Sequence, residues 1–107
     1  MSRKQQADAA DRMAVLADPM RRAIFEMLAG GPRSVGDIAG KLPVTRPAVS
    51  QHLKALGDAG FVTHESIGTR NLYRVEPERI AEVRDYLDKL WHKALINLKR
   101  RAEKPHQ

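Results

Sequence analysis

Residues 34–75 read SVGDIAGKLPVTRPAVSQHLKALGDAGFVTHESIGTRNLYRV, and this stretch decides the fold. Ser34 stands three residues before Asp37, which is the spacing of a capping box, where two side chains bond the free N–H groups of a helix start. Pro43 cannot continue a helix, so the pattern predicts one short helix between the box and the proline. A second helix predicted directly after it makes residues 34–60 a helix-turn-helix.

The second helix is predicted over residues 45–59. Thr45 is a good N-cap residue, and Gly60 suits the position just beyond a helix end. Apolar residues recur along this helix at i, i+4 and i+7, which predicts a buried stripe on one side. The stripe comprises Val49, Leu53 and Leu56. The opposite side carries no carboxylate and presents Arg46, Pro47, Ser50, Gln51 and Lys54.

That polar side offers a guanidinium, a hydroxyl, an amide and an ammonium group within a few turns. These groups hydrogen-bond phosphates and the base edges in the major groove of DNA. A positive helix end beside Thr45, with free N–H groups, also suits a phosphate. The alternative is an ordinary solvated face. We favour DNA binding because a basic hairpin follows the helix at once.

Two runs rich in β-branched and aromatic residues come after the second helix. They are residues 61–66 and 71–75. A glycine lies among residues 67–70 between them, which predicts a β-hairpin with a four-residue loop. We expect Thr69 and Arg70 at the tip, with His64 on the first strand, to reach a phosphate or the minor groove. Alternatively, the hairpin over residues 61–75 only covers the edge of the core, and its charges prevent strand-to-strand association.

Length and composition fit this interpretation. The chain has 107 residues, the size of one domain, and a formal net charge of +6. Residues 31–75 hold six basic and three acidic side chains, a net charge of +3, which favours double-stranded DNA as a partner. The chain has no cysteine, so disulfide scaffolds, thiolate catalysis and Cys-ligated metals are excluded and a cytoplasmic location is expected. No catalytic constellation or apolar run long enough for a membrane span is visible, so we expect neither an enzyme nor a membrane protein.

The final helix, predicted over residues 77–101, carries more apolar surface than one small core requires. Two lines of apolar residues share this helix with coiled-coil-like spacing. They comprise Ile80, Val83, Leu87, Leu90 and Ala94, and Leu87, Trp91, Leu95 and Leu98. An excess apolar face predicts a partner surface, with Trp91 as its anchor. The alternative is that Trp91 folds back onto the core of its own chain.

The segments LADPMRR (residues 16–22) and RPAVSQHLKAL (residues 46–56) are specific in combination. From Leu16 to Val75 the chain resembles the core of an ArsR-family winged-helix regulator. The resemblance implies a mainly α fold with a small β-hairpin: a winged helix-turn-helix with five helices and a two-stranded wing. It also implies a homodimeric repressor whose interface is built from the first helix, residues 7–17 with Met13 and Leu16, and the last helix. Two-fold symmetry then predicts an inverted-repeat operator.

The sequence departs from the metal-sensing members of that family. Their best-known site has cysteines on the first helix of the helix-turn-helix, where this chain has Ser34 and Gly36. Another family site uses spaced Asp, His and Glu on the last helix, which here has only His92 as a histidine. We therefore expect no metal and no cofactor, and no residue identifies a small-molecule effector. The second functional hypothesis is a winged-helix protein–protein interaction module without DNA binding, which the salt dependence of binding would separate from a DNA-binding protein.

Overall fold

The computed structural model describes residues 9–103. The first helix, α1, is α-helical over residues 9–13 and ends in a 3-10 turn at Ala14–Ala17. The remaining elements are α2 (Pro19–Ala29), α3 (Val35–Lys41), α4 (Arg46–Asp58), β1 (Val62–Ile67), β2 (Arg70–Val75) and α5 (Pro77–Glu103). The predicted fold class is confirmed: the protein is a mainly α, winged helix-turn-helix protein, with five helices and one hairpin over residues 9–103. The predicted start of the first helix, at residues 7 and 8, lies outside the described residues.

Side-chain caps set the starts of three helices, as their sequence positions predict. The Asp18 carboxylate accepts the Arg21 N–H at 2.9 Å at the start of α2. At α3 the capping box is complete, because the Asp37 N–H donates to Ser34 Oγ at 3.2 Å and the Ser34 N–H donates to Asp37 Oδ2 at 3.3 Å. Thr45 caps α4 in the same way. Each such cap stabilises its helix by about 1 kcal/mol.

The core lies where α2, α3 and α4 meet the base of the hairpin. Its buried side chains are Ile24, Leu28, Ile38, Val49, Leu53, Leu56, Phe61 and Val62. The predicted stripe of α4 is confirmed, with all three members at most 1% exposed. Phe61, at the junction of α4 and β1, packs its ring against Phe25 of α2 with centroids 5.7 Å apart. Burial of each large apolar side chain contributes about 1.5–3 kcal/mol, so this contact holds the hairpin against the helices.

The hairpin, which we call the wing, has a tighter connection than predicted. Strand pairing continues to Ile67 and Arg70, so the turn consists of Gly68 and Thr69 alone, and the predicted four-residue loop is wrong. Gly68 has a φ of 65°, a conformation that favours glycine. Glycine at the first position of a two-residue turn allows a type II′ hairpin, whose twist matches the strands and lets pairing run to the tip.

A backbone bridge between Arg33 and Tyr73 fixes the wing to the connection before α3. The Arg33 N–H donates to the Tyr73 carbonyl at 3.0 Å, and the Tyr73 N–H donates to the Arg33 carbonyl at 2.8 Å. Arg33 thus acts as a single residue of a third strand. The bridge sets the angle at which the wing leaves the body.

The last helix is split between the core and solvent. Ile80 and Val83 pack against the core, but from Leu87 onward the apolar residues are exposed. Trp91 is 68% exposed, so the alternative in which it folds back onto its own chain is wrong. A helix of 27 residues is about 40 Å long, more than the rest of this small body can cover. Within residues 9–103, no helix is both long enough and apolar enough to cross a membrane.

Candidate DNA-binding surface

The outward side of α4 presents the polar set expected from the sequence. We call this set the recognition face; its residues are Thr45, Arg46, Pro47, Ser50, Gln51 and Lys54, all exposed. Its position follows from the opposite side of the helix, which is anchored in the core. The helix therefore cannot turn these groups away from solvent without exposing its buried stripe.

The start of α4 offers fewer free N–H groups than the sequence suggests. The Thr45 hydroxyl accepts the Ala48 N–H at 3.3 Å, and the Thr45 carbonyl accepts the Val49 N–H at 2.9 Å. Pro47 has no N–H to offer. Anion binding at this end would therefore depend on the Arg46 side chain more than on the backbone.

The carboxylate-free surface ends one turn after Lys54. The Lys54 ammonium lies 3.1 Å from Asp58 Oδ2, and both side chains are more than two-thirds exposed. An exposed i,i+4 pair of this kind contributes only about 0.3–0.5 kcal/mol. Lys54 can therefore leave Asp58 for a phosphate at little cost.

Arg46 lies against the first turn of α3. A Cβ atom on Gly36 would stand 3.3 Å from Arg46 Nη2, so the missing side chain at Gly36 makes room for the guanidinium. An open cleft of about 550 Å³ lies between the start of α3, the start of α4 and the turn of the wing. The residues that line it are Ser34, Val35, Gly36, Asp37, Arg46, Thr69, Arg70 and Asn71. The helix-turn-helix and the wing thus form one concave polar surface.

Arg70 holds the wing to α3. Its Nη2 atom donates to Ser34 Oγ and to Asp37 Oδ2, each at 3.0 Å, although the side chain remains 59% exposed. The pKa of Asp37 is lowered, first by the hydrogen bond from the Ser34 N–H, then by the Ser34 hydroxyl, with the charges of Arg70 and Arg33 as smaller causes. The sequence predicts that Arg70 projects from the tip of the wing. In the structure its guanidinium instead folds back toward α3.

The other two predicted wing residues, Thr69 and His64, are exposed. Thr69 lies in the turn. The ring of His64 lies over that of Tyr73, its cross-strand partner, with centroids 4.9 Å apart. This packing fixes the imidazole on the wing surface.

The exposed apolar residues of α5 form a second surface. We call it the apolar face of α5; it comprises Leu87, Leu90, Trp91, Ala94, Leu95 and Leu98. Ile96, 41% exposed, was not among the predicted contacts. Of the predicted contacts on α1, Met13 is half-buried, and half-buried Leu16 packs partly against the core. Arg12 joins α1 to α5 through Glu82, with Nη1 and Oε2 2.9 Å apart.

The histidines within residues 9–103 lie on three different elements: His52 on α4, His64 on β1 and His92 on α5. His52 Nδ1 accepts a hydrogen bond from Arg21 Nε at 3.4 Å, His64 lies on Tyr73, and His92 is exposed on α5. Over residues 9–103, no three His, Asp or Glu side chains are grouped to hold a metal ion. Ser34 and Gly36 stand where the family that the sequence resembles has its cysteine site, and neither residue provides a strong metal ligand.

Comparison with known proteins identifies the family. The family described as "Bacterial regulatory protein, arsR family" matches residues 18–64. The HTH-type transcriptional regulator Rv2034 of Mycobacterium tuberculosis is 52% identical over 80 residues, which span 75% of each chain. This chain belongs to the ArsR family. As an ArsR-family protein it is a transcriptional regulator with a winged helix-turn-helix DNA-binding fold, and not an enzyme.

Two further comparisons bear on its action. The HTH-type transcriptional repressor SmtB of M. tuberculosis is 40% identical to this protein over 75 residues, which span 70% of this chain and 56% of SmtB. The solution structure of the homodimeric winged helix-turn-helix DNA-binding domain of Mb0332 from Mycobacterium bovis has a TM-score of 0.65 and 28% identity. That match covers 100% of this chain and 94% of the solved chain.

Three features of the site were not predicted from the sequence. They are the Arg33 bridge to the wing, the Arg21–His52 contact, and Asp58 beside Lys54. The i,i+4 spacing of Lys54 and Asp58 was a usable signal. The other two join residues distant in sequence, and no local pattern marks them.

Proposed function

We propose that this protein is a homodimeric repressor that recognises an inverted-repeat operator, with α4 in the major groove and the wing on the neighbouring backbone. The observation that carries the proposal is the recognition face: six exposed polar or small residues, none acidic, on a helix whose opposite side is locked in the core. A helix held in this way can enter the major groove without rearrangement. Repression follows if the bound dimer covers a promoter. A protein with this role would act in the cytoplasm, and we propose that location for it.

The roles within the recognition face follow from side-chain chemistry. Arg46 and Gln51 suit guanine and adenine edges, because guanidinium and amide groups bond these bases in pairs. Ser50 and Lys54 suit phosphates, with Thr45 and Pro47 packed against the backbone at the start of the helix. On the wing, Thr69, His64 and Arg70 would contact the adjacent strand. Arg70 would exchange its exposed bond to Asp37 for a phosphate.

The dimer is supported by the apolar face of α5. Five large apolar side chains on this face are each at least 45% exposed, and they need a cover that the protomer does not supply. Met13 and Leu16 on α1 would extend that interface. The homodimeric neighbour from M. bovis favours a second copy of this chain as the cover. Two-fold symmetry would then set the recognition helices about 34 Å apart, one turn of DNA.

Selection of bound fragments from random double-stranded DNA tests the proposal directly. We expect an inverted-repeat consensus, with half-sites centred one helical turn apart. Affinity for that consensus should fall steeply as salt rises, because each neutralised phosphate releases counterions. A protein–protein interaction module would instead show no preferred duplex at low salt, and that result would reject the proposal.

Arg46→Ala tests the predicted base contact. Loss of a bidentate contact should weaken binding to the selected operator by about 1–3 kcal/mol for each half-site and relax the preference at one base position in each. Arg84→Ala is the matched control, because it removes the same charge from a 70% exposed side chain on α5. A gel-shift titration in which the two variants bind equally would remove Arg46 from base recognition.

A further inference from the structure

Arg21, on α2, joins two other segments that the proposed function assigns to different tasks. Its Nη1 atom donates to the Val15 carbonyl at 3.3 Å, in the 3-10 turn that ends α1. Its Nε atom donates to His52 Nδ1 at 3.4 Å, in the middle of α4. Its own N–H is held by Asp18 at the start of α2. One part-buried guanidinium thus spans from the end of α1 to the recognition helix.

The contact with α1 meets an ordinary need of a helix end. The last carbonyls of a helix have no partners within it, and a cation at that end is favourable. Arg22, the next residue, does the same for the neighbouring carbonyl, with Nη1 3.2 Å from the Leu16 oxygen. Unlike Arg22, Arg21 also donates a hydrogen bond to α4, at His52. Capping therefore does not account for the second contact.

The contact with α4 lies directly behind the recognition face. His52 follows Gln51 in sequence and is half-buried, so its ring marks the boundary between the exposed and buried sides of the helix. The Nδ1 side of the ring faces Arg21 and acts as the acceptor. A shift of His52 along the helix axis would carry its neighbour Gln51 with it.

We propose that Arg21 is a positioning residue that sets the recognition helix relative to the dimer axis, through His52. This inference rests on the proposed function, in which α1 takes part in the dimer interface and α4 reads the operator. The apolar packing of α4 resists its removal from the core but is non-directional. The hydrogen bonds of Arg21 are directional, and they connect α1 to α4 through a single rigid group. A symmetric dimer contains this connection once in each protomer, and the two copies together fix the separation of the two recognition helices.

The test is how strictly the dimer distinguishes operator spacings. The probes are the selected consensus half-sites at their preferred separation, and the same half-sites with one base pair added or removed, which moves them by about 3.4 Å along the axis. The readout is the ratio of affinities for the preferred and altered spacing. A change that only removes charge affects both operators alike and cancels in this ratio.

Arg21→Met keeps the aliphatic stem but removes both side-chain bonds. We expect the spacing ratio to fall about fivefold, which is roughly twofold for each copy in the dimer, the low end of the range for a net hydrogen bond, because both contacts are long. Arg22→Met is the matched control: it removes the same charge and a carbonyl contact on the same turn, and it should leave the ratio unchanged. His52→Leu should lower the ratio as Arg21→Met does, and His52→Asn, which retains an acceptor near Nδ1, should preserve it.

A double variant, Arg21→Met with His52→Leu, should lower the ratio no further than Arg21→Met alone, because both changes break the same bond between Arg21 and His52. Sedimentation and circular dichroism show whether each variant is a folded dimer, and His52→Leu carries the test if Arg21→Met is not. The inference is overturned if both single variants keep the wild-type ratio, or if Arg22→Met lowers it equally. Failure of the wild-type protein to bind any duplex would instead overturn the proposed function, and this inference with it.

Discussion

Replacement of Trp91 by alanine should separate the proposed dimer into monomers. Trp91 is 68% exposed in the protomer and stands in the middle of the apolar face of α5. A shallow cavity of about 430 Å³ lies beside it, lined by Leu87, Asp88, Leu90, Trp91 and Ala94. In a two-fold interface the side chain of one copy meets this face of the other, so every change counts twice.

The exposed area gives the magnitude. A tryptophan buries up to about 250 Å², so an exposed fraction of 68% leaves roughly 170 Å² to be covered by the partner. At about 25 cal/mol per Å², complete burial would contribute about 4 kcal/mol per copy. Interface anchors usually cost about 2 kcal/mol or more when truncated, so we take the lower figure per copy. Two copies then weaken the dimer by about 4 kcal/mol, roughly a thousandfold in Kd.

Sedimentation equilibrium over a range of concentrations is the assay. Wild-type protein should sediment at micromolar concentration with twice the chain mass of 12.0 kDa, and Trp91→Ala should approach that chain mass. Ile67→Ala is the matched control, since Ile67 is 54% exposed but lies on the wing, and it should remain dimeric. A Trp91→Ala protein that dimerises within tenfold of the wild-type Kd would refute the assignment of this face to the dimer.

Three further predictions follow from the fold and the wing. Gly60→Ala should lower the unfolding free energy by about 1–2 kcal/mol in denaturant titration, because Gly60 has a φ of 84°; Gly40→Ala, with open space around it, should not. The folded-state pKa values of Asp18 and Asp37 lie below 3.8, chiefly because backbone N–H groups bond their carboxylates. The stabilisation that these two carboxylates contribute is therefore present above pH 3.8 and is lost as the pH falls through their folded-state pKa values. The free energy of unfolding, measured from about pH 5 to pH 2, should decline accordingly. The decline should be smaller in Asp37→Asn. Arg70→Gln should change unfolding free energy by under about 1 kcal/mol, as for an exposed ion pair. It should also reduce the salt slope of operator binding by about 2, one phosphate contact for each copy in the dimer, and an unchanged slope would remove Arg70 from phosphate contact.

The helix starts and the buried stripe of α4 were predictable because their causes are local. A capping box needs only Ser34 and Asp37 three residues apart, and the stripe needs only apolar residues at helical spacing. The recognition face follows from the stripe, since a helix with one side in the core must present the other. The hairpin was predictable in kind but not in turn length, because pairing up to Gly68 depends on cross-strand contacts as well as on the glycine.

The sequence by itself therefore determined the order of the elements, the family resemblance and the residues that α4 displays. Tertiary structure decided the rest. The bond from Arg70 to Asp37 joins residues 33 apart, and the Arg21–His52 bond joins residues 31 apart. The continuous apolar pattern of α5 is divided after Val83 between a covered part and an exposed part. Periodicity shows which side of a helix is apolar, but only the packed body shows how far along the helix that side finds a partner.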